Sequence, residues 1–377
     1  MSKIAIVHDY FVQMGGAEQV AQTFHDLLPD SPVYTTVMSH EKLSPTLRKA
    51  RIQVSWMQNL PAIEKYFRHY FLLYPKAVES LDLSSHDLIL SSSSGYAKGV
   101  RRRPRGAVHV CYCHTPMRWV WRYDDYAARE GFSPARQVIL PHLLKYLRGW
   151  DLKASQQPDY YIANSQVVAD RIKQIYGRES VVIPPPINVD RFRPVDQQED
   201  YYLILSRLVG YKRIDLAVRA CTQTNRPLVI IGDGPDRQRL ESLAGPGVRF
   251  MGRQPDEVVE HYASRCRGLL FPGEEDFGMV PLEINAAGRP VIAYKAGGAT
   301  ETVIDGVTGV FFDQPEVSSV IEAIERFEVL TWDSGKLRQH ARGFDQSVFA
   351  TRLLGFLQNV APDSCRGELA LSAISTP

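Results

Sequence analysis

Gly268-Leu-Leu-Phe-Pro-Gly-Glu-Glu-Asp-Phe-Gly-Met-Val-Pro-Leu-Glu-Ile-Asn-Ala-Ala-Gly-Arg-Pro-Val-Ile-Ala-Tyr294 reads as strand, loop, helix and strand in one short span. Gly268–Phe271 is an apolar run of strand length. Pro281 suits the first helical position, where its missing N–H costs nothing. Gly288 and Pro290 stop the helix, and Val291–Tyr294 begins another buried strand. The pattern places Glu275 on the loop beyond a strand's carboxyl end and Glu283 in the first helical turn. A capping box would need Ser or Thr three residues before Glu283, and Val280 stands there. The main-chain N–H groups of Phe277, Gly278 and Met279 lie at the helix start and favour an anion. Two acids around an anion-binding helix start suit a nucleotide sugar, with hydroxyls for the carboxylates and a diphosphate for the amides.

Short buried strands alternate with helical stretches on both sides of this span, the pattern of parallel α/β sheets. In the first half the strands read as Ile4–Val7, Leu88–Leu90, Val108–Tyr112 and Tyr160–Ala163. In the second half they read as Tyr202–Leu205, Leu228–Ile231, Val248–Met251, Gly268–Phe271, Val291–Tyr294 and Gly309–Phe312. Between the halves, Pro184-Pro-Pro-Ile-Asn-Val-Asp-Arg-Phe-Arg-Pro194 makes a stiff linker, because three prolines continue neither a helix nor a central strand. The expected organisation is an N-terminal Rossmann-like domain over 1–185 and a C-terminal one over 195–345. Residues 361–377 read as an unstructured tail. Gly15-Gly16 after the first strand forms a glycine-rich turn into a helix, without the spacing of a dinucleotide fingerprint.

At 377 residues, with 44% hydrophobic and 23% charged residues, the chain is long enough for two globular cores. A net charge of +2 and the lack of an extended basic face argue against nucleic acid. Arg101, Arg102, Arg103 and Arg105 form a local basic run suited to phosphate or an anionic surface. Five cysteines without a second metal-spaced pair read as buried thiols in a reducing cytoplasm. No apolar run reaches the roughly 20 residues that a membrane-spanning helix needs, so a cytoplasmic or peripheral protein is expected.

The Glu275–Glu283 stretch resembles the signature of retaining glycosyltransferases of family 4 (group 1), which have the GT-B fold of two Rossmann-like α/β domains facing across a cleft. Asp276 stands where members often have Gly. The resemblance implies that Glu275 contacts the donor sugar and that Glu283 holds the ribose. It also implies that the last helix, about 346–360, crosses back to the first domain, with Phe349, Leu353, Leu354 and Leu357 on one face. Ser206-Arg-Leu-Val-Gly-Tyr-Lys212 resembles the family's cation pair, so Arg207 and Lys212 would grip the diphosphate and stabilise charge as it leaves. Similar enzymes have a histidine at the end of a first-domain strand, a role carried by His114 in Cys113-His-Thr-Pro116. Gly15, Gly16, Gly232 and Arg253 complete the expected donor contacts, with Arg253 against the nucleobase. Arg118, Trp119, Trp121, Arg122 and Tyr123 alternate cation and ring, so they fit either acceptor binding or core packing. No Asp-x-Asp occurs in the chain. The diphosphate charge would therefore fall to side-chain cations, and the expectation is a metal-independent transferase without a cofactor.

The likeness covers roughly residues 1 to 355. Tyr10–Glu18, Ser91–Val100 and Cys111–Trp119 resemble bacterial mannosyltransferases of O-antigen and exopolysaccharide synthesis. The implied reaction moves mannose from GDP-mannose to a lipid-linked saccharide at the cytoplasmic membrane face. A UDP-glucose, UDP-galactose or GDP-rhamnose donor is the alternative, as is a silent nucleotide-sugar-binding partner in an assembly complex.

Overall fold

The computed structural model describes residues 2–101, 105–122 and 134–374. Arg102, Arg103 and Tyr123 lie outside the described residues. The chain divides into two compact units: residues 1–185 with 347–377, and residues 186–346.

The first unit is built on β1 (Ile4–His8), β2 (Val33–Thr35), β3 (Ile52–Val54), β4 (Leu88–Ser93), β5 (Val108–Cys113), β6 (Tyr160–Ala163) and β7 (Val181–Val182). Their order is β3-β2-β1-β4-β5-β6-β7, with every neighbouring pair parallel. Strands β2, β3 and β7 were not legible in the sequence. They hold two or three residues each, too few to show a period. Successive strand side chains point to opposite faces. Ile4 and Ile6 thus join Phe24, Leu88 and Tyr112 on one side, while Ala5, Val7 and Ile89 join Tyr74 and Leu147 on the other.

The helix Gln346–Val360 belongs to this unit and buries Phe349, Leu353, Leu354 and Leu357 in the first of those cores. Phe349 stacks on Phe24 with 6.2 Å between ring centroids. The tail expectation is corrected at 363–374, where the chain forms a helix, Asp363–Ile374. Cys365 and Leu369, one turn apart, are fully buried in the same core. Glu368 accepts from the Lys3 amide at 2.8 Å and the Ser2 hydroxyl at 2.6 Å. The apolar residues after Pro362 crowd into Leu369–Ile374 and show no clear helical period, and the polar contacts of Glu368 that order the segment are with the start of the chain.

The second unit holds β8 (Tyr202–Leu205), β9 (Leu228–Ile231), β10 (Val248–Gly252), β11 (Gly268–Phe271), β12 (Val291–Tyr294) and β13 (Gly309–Phe312). Their order, β10-β9-β8-β11-β12-β13, repeats the doubly wound pattern of the first unit. Two arginines fasten the linker and the segment that follows it within this unit. Arg289 donates to the carbonyls of Ser264, Val195 and Gln197, and Arg338 to those of Val189, Phe192 and Ala286. No described helix is long and apolar enough to cross a membrane.

Beyond the carboxyl ends of β8, β11 and β12 the loops press main chain against main chain. A Cβ on Gly273 would sit 2.7 Å from Lys212 Cα, and one on Gly298 would sit 2.2 Å from Phe277 Cα. Neither contact can be relieved by turning a side chain. Gly298→Ala is expected to cost about 1–3 kcal/mol, the range for overpacking. Gly355→Ala, in the helix Gln346–Val360 with nothing within 4 Å of its added methyl, is expected to be neutral or stabilising. Equal thermal unfolding midpoints for the two variants would refute the interlock.

Candidate functional site

In an open parallel sheet, ligands bind beyond the carboxyl ends of strands where the strand order reverses. In the second unit that point lies between β8 and β11, and the structure brings two expected residues together there. Lys212 follows β8, Glu275 follows β11, and the Lys212 ammonium pairs with Glu275 Oε1. Both side chains are mostly shielded, at 15% and 22% exposure. Burial of this degree makes the pair sensitive to loss of either partner, which would leave a half-buried charge unmatched. Arg207 is exposed on the same loop as Lys212.

The helix after β11 runs from Met279 to Ala286, and Gly278 precedes it with φ 91°. Two expectations are corrected. Pro281 is the third helical residue rather than the first, and Glu283 falls in the second turn. The prolyl nitrogen still costs no bond, because the first four helical N–H groups lack intrahelical acceptors. Phe277 is buried in the core and its ring lies 5.9 Å from that of Phe344, so its side chain anchors the loop while its amide stays at the helix start. Burial raises the Glu283 carboxyl above the ordinary glutamate range; Arg191 opposes the rise and Asp256 adds to it. Arg191, contributed by the linker, pairs with Asp256 at 2.9 Å and Glu260 at 3.0 Å. Its place beside Glu283 was not foreseen from sequence, where Arg191 was only part of a proline-rich connector.

Gly232 has φ 134°, and a Cβ there would lie 1.9 Å from the Ser206 carbonyl oxygen. Its smallness is demanded by the loop that carries Arg207, which accounts for the glycine whether or not a ligand approaches. Arg253 is exposed beyond β10.

In the first unit the strand order reverses between β1 and β4. His8 and Ser92 are register partners there, and β5 ends beside them in Cys113 and His114. His114 Nε2 lies 2.8 Å from Ser92 Oγ, and His8 Nδ1 lies 3.0 Å from the same oxygen. Burial, reinforced for His114 by neighbouring His8 and opposed by Asp9, lowers its pKa to about 3. His8 also drops to about 3, through burial opposed by a hydrogen bond to the Ser92 main chain. Both rings are therefore neutral at pH 7. Asp9 accepts the amides of Ser94 at 2.7 Å, Tyr96 at 2.8 Å and Ala97 at 2.6 Å, which fixes the loop after β4. His8 and Ser92 were missed as site residues; the signal that finds them is the β1–β4 register.

Gly15 precedes the helix Gly16–Leu27, and its amide donates to the buried Glu18 carboxylate at 2.9 Å. Burial raises the Glu18 pKa, against that hydrogen bond and one from Gln13. Gly15 is thus held by an acid in the first turn of the helix that it precedes. Arg118, Trp119 and Trp121 lie on a short helix, Arg118–Trp121, followed by Arg122. Packing accounts for both tryptophans. Trp119 meets Phe71 edge-on at 5.4 Å, and the Trp121 indole N–H donates to buried Asp151 at 2.7 Å. Asp151 also accepts from Tyr176 at 2.8 Å and pairs with buried Lys98 at 2.6 Å. Of the basic run, Arg101 is exposed and pairs with Glu79 at 2.8 Å. A cavity lined by Tyr34, Gln53, Trp56 and Asp82 lies at the β2–β3 edge, away from the strand-order reversal. Among the described residues no three His, Cys, Asp or Glu side chains gather as metal ligands.

The histidines make stability depend on pH. An unfolded histidine titrates near 6.5, whereas folded His8 and His114 titrate near 3. Between these values the unfolded chain binds more protons, so stability falls as pH drops from 6.5 toward 3. His25 and His86, both lowered chiefly by burial, act in the same direction. Thermal unfolding at pH 8 and pH 5 is expected to show a larger loss for the native chain than for His8→Gln. Parallel losses would show that His8 is not held neutral.

Residues 14–191 match the family described as glycosyltransferase family 4, and residues 188–343 the family described as glycosyl transferases group 1. The chain is 32% identical over 193 residues to a GDP-mannose-dependent alpha-(1-6)-phosphatidylinositol monomannoside mannosyltransferase of Mycolicibacterium smegmatis, covering 42% of this chain and 50% of that one. It is 30% identical over 203 residues to a D-inositol 3-phosphate glycosyltransferase of Acidothermus cellulolyticus, covering 45% of each. The matched segment spans about half the length of these curated relatives. Among solved structures, HepE of Anabaena in complex with UDP and glucose superimposes with a TM-score of 0.71 at 19% identity, covering 96% of this chain and 100% of that one. Sucrose-phosphate synthase of Thermosynechococcus elongatus does so with a TM-score of 0.75 at 18% identity, covering 96% and 99%.

Proposed function

Because the chain belongs to the group 1, family 4 glycosyltransferases and has the GT-B fold, we propose that it transfers a hexose from a nucleotide-activated sugar, with retention and without a metal ion. The observation that carries this reading is the Lys212–Glu275 pair beyond β8 and β11, with Glu283 on the following helix. The diphosphate draws on Lys212, Arg207 and the amides of Phe277, Gly278 and Met279. The sugar meets Glu275, and the ribose meets Glu283 beside Arg191. In the family reading His114 hydrogen-bonds a hydroxyl of the transferred sugar. The bond between the sugar's anomeric carbon and the phosphate oxygen breaks, and its electron pair leaves with the nucleoside diphosphate. The acceptor oxygen bonds to that carbon on the same face, while its proton passes to the departing phosphate. Fixed cations lower the barrier because they meet charge that grows only as the bond breaks.

GDP-mannose is the donor proposed first, supported by the GDP-mannose-dependent mannosyltransferases among the relatives. The proposed acceptor is a lipid-linked saccharide of O-antigen or exopolysaccharide synthesis, met at the cytoplasmic face of the membrane. Exposed Arg101 and Arg105 would assist by charge. Arg118 and Arg122 are the proposed acceptor contacts, by charge, since the two tryptophans beside them are accounted for by packing.

Calorimetry and nucleotide release with GDP-mannose, GDP-rhamnose, UDP-glucose and UDP-galactose test the donor. Selective GDP-mannose binding is expected, and selective binding of a UDP-sugar would overturn that choice while keeping the fold and site. Binding without turnover on any lipid-linked saccharide would instead favour the silent-partner reading. Lys212→Ala and Glu275→Ala are each expected to lower kcat by about 10²–10³-fold, the scale of losing one electrostatic stabiliser. Near-normal turnover in both would remove the site assignment. A chelator is expected to leave the rate unchanged, and strict dependence on Mn²⁺ would refute the side-chain-cation mechanism.

A further inference from the structure

The sharing of Ser92 Oγ by two imidazoles has a consequence for His114 that rests on the proposed role of that residue in transfer. We propose that Ser92 and His8 are positioning residues for His114, which hold the two rings in matched tautomers and leave His114 Nδ1 as the nitrogen presented to a sugar hydroxyl.

Ser92 is fully buried, His8 is 2% exposed and His114 is 9% exposed. A neutral imidazole has one N–H and one bare nitrogen, and a hydroxyl has a single proton to donate. If Ser92 donates to His114 Nε2, His114 carries its proton on Nδ1. Ser92 then receives from His8, which must carry its proton on Nδ1 as well. If Ser92 donates to His8 Nδ1, both rings carry the proton on Nε2. Unmatched tautomers fail in either form. Two bare nitrogens would compete for one hydroxyl proton, whereas two N–H groups would fill both lone pairs of the oxygen and leave its proton with no acceptor among the described residues. Either case forfeits a hydrogen bond in a buried place. Burial holds both rings neutral, so neither escapes the restriction by taking a second proton.

Ring orientation is set as firmly as proton position. His8 packs on Phe11 with 4.6 Å between centroids, and His114 lies 5.1 Å from the Tyr112 ring. The His114 amide donates to the Ser93 carbonyl at 2.9 Å, and its own carbonyl accepts from Asn164 at 3.0 Å. With Nε2 committed to Ser92, Nδ1 is the remaining polar ring atom. Its character as donor or acceptor is tied through Ser92 to the state of His8, two strands away. A sugar hydroxyl can bond either form, but it meets one fixed partner instead of a mixture.

Nitrogen-detected NMR of ¹⁵N-histidine-labelled, ligand-free protein reads the tautomers directly. At pH 7 His8 and His114 are expected to be neutral and to share one tautomer, and in Ser92→Ala the matching is lost. Opposite tautomers in the native chain, or a match that survives Ser92→Ala, would overturn the proposal. In transfer assays Ser92→Ala is expected to lower kcat at least about tenfold, as a displaced tautomer does in other histidine-dependent enzymes, with donor KM little changed. An unchanged kcat would equally overturn it. Full turnover in His114→Gln would instead defeat the site assignment beneath this inference. That failure is separately visible, because the tautomers are measured without substrate.

Discussion

A parallel strand must be followed by a crossover that returns along one face of its sheet, and two neighbouring strands that send their chains to opposite faces leave a gap beyond their carboxyl ends. Both units obey this constraint with the same strand order, and it decides where chemistry-bearing side chains can meet. In the second unit it sets Lys212 against Glu275. In the first it sets His8 beside Ser92, with His114 at the end of the next strand. No residue in these groups is near another in sequence except through the sheet that gathers them.

The two units handle charge differently at the points where their strand order reverses. The second gathers full charges there, with Lys212 and Glu275 paired and mostly shielded, Arg207 exposed, and Arg191 shared among acids. At its own reversal the first keeps its imidazoles uncharged and gives buried Asp9 three amide donors. Hydrogen bonds to an ionised acceptor contribute about 1.5–3 kcal/mol each, more than neutral ones. Three amides on Asp9 therefore hold the loop after β4 more firmly than a turn could hold itself. This division suits a protein in which one unit handles an anion and the other supplies neutral hydrogen-bonding partners of fixed direction.

Much of the fold was legible because buried parallel strands are short apolar runs. Five of the six strands in the second unit have the bounds read from sequence, and Val248–Gly252 differs by one residue. The proline-rich connector was legible for its composition, but the arginines that fasten it were not. Arg289 and Arg338 lie about a hundred residues or more from most of the carbonyls they bind, and periodicity carries no trace of such bonds. At the site, Glu275 and Lys212 were legible because the types and spacings around them are distinctive. His8, Ser92 and Arg191 were not, since each is an ordinary residue until strand register or loop packing gives it a neighbour. Trp121 was open to two readings because ring and cation alternate in both a binding surface and a core. Buried Asp151 accounts for it as packing.

The core of the first unit draws on residues from both ends of the chain, with Phe349, Leu353, Leu357, Cys365 and Leu369 packed among side chains of β1, β4 and β5. The second unit is one continuous segment and lacks no part of itself once Gln346 has been added. Synthesis from the amino end thus delivers the first half-sheet early but leaves its apolar face uncovered until the last helices emerge. The unit that begins the chain receives its last core residues after every residue of the second has been added. A nascent chain with residues 1–346 outside the ribosome would hold every residue of the second unit, while the apolar face that Phe349 and Leu369 cover in the first would still be exposed, a natural target for a chaperone.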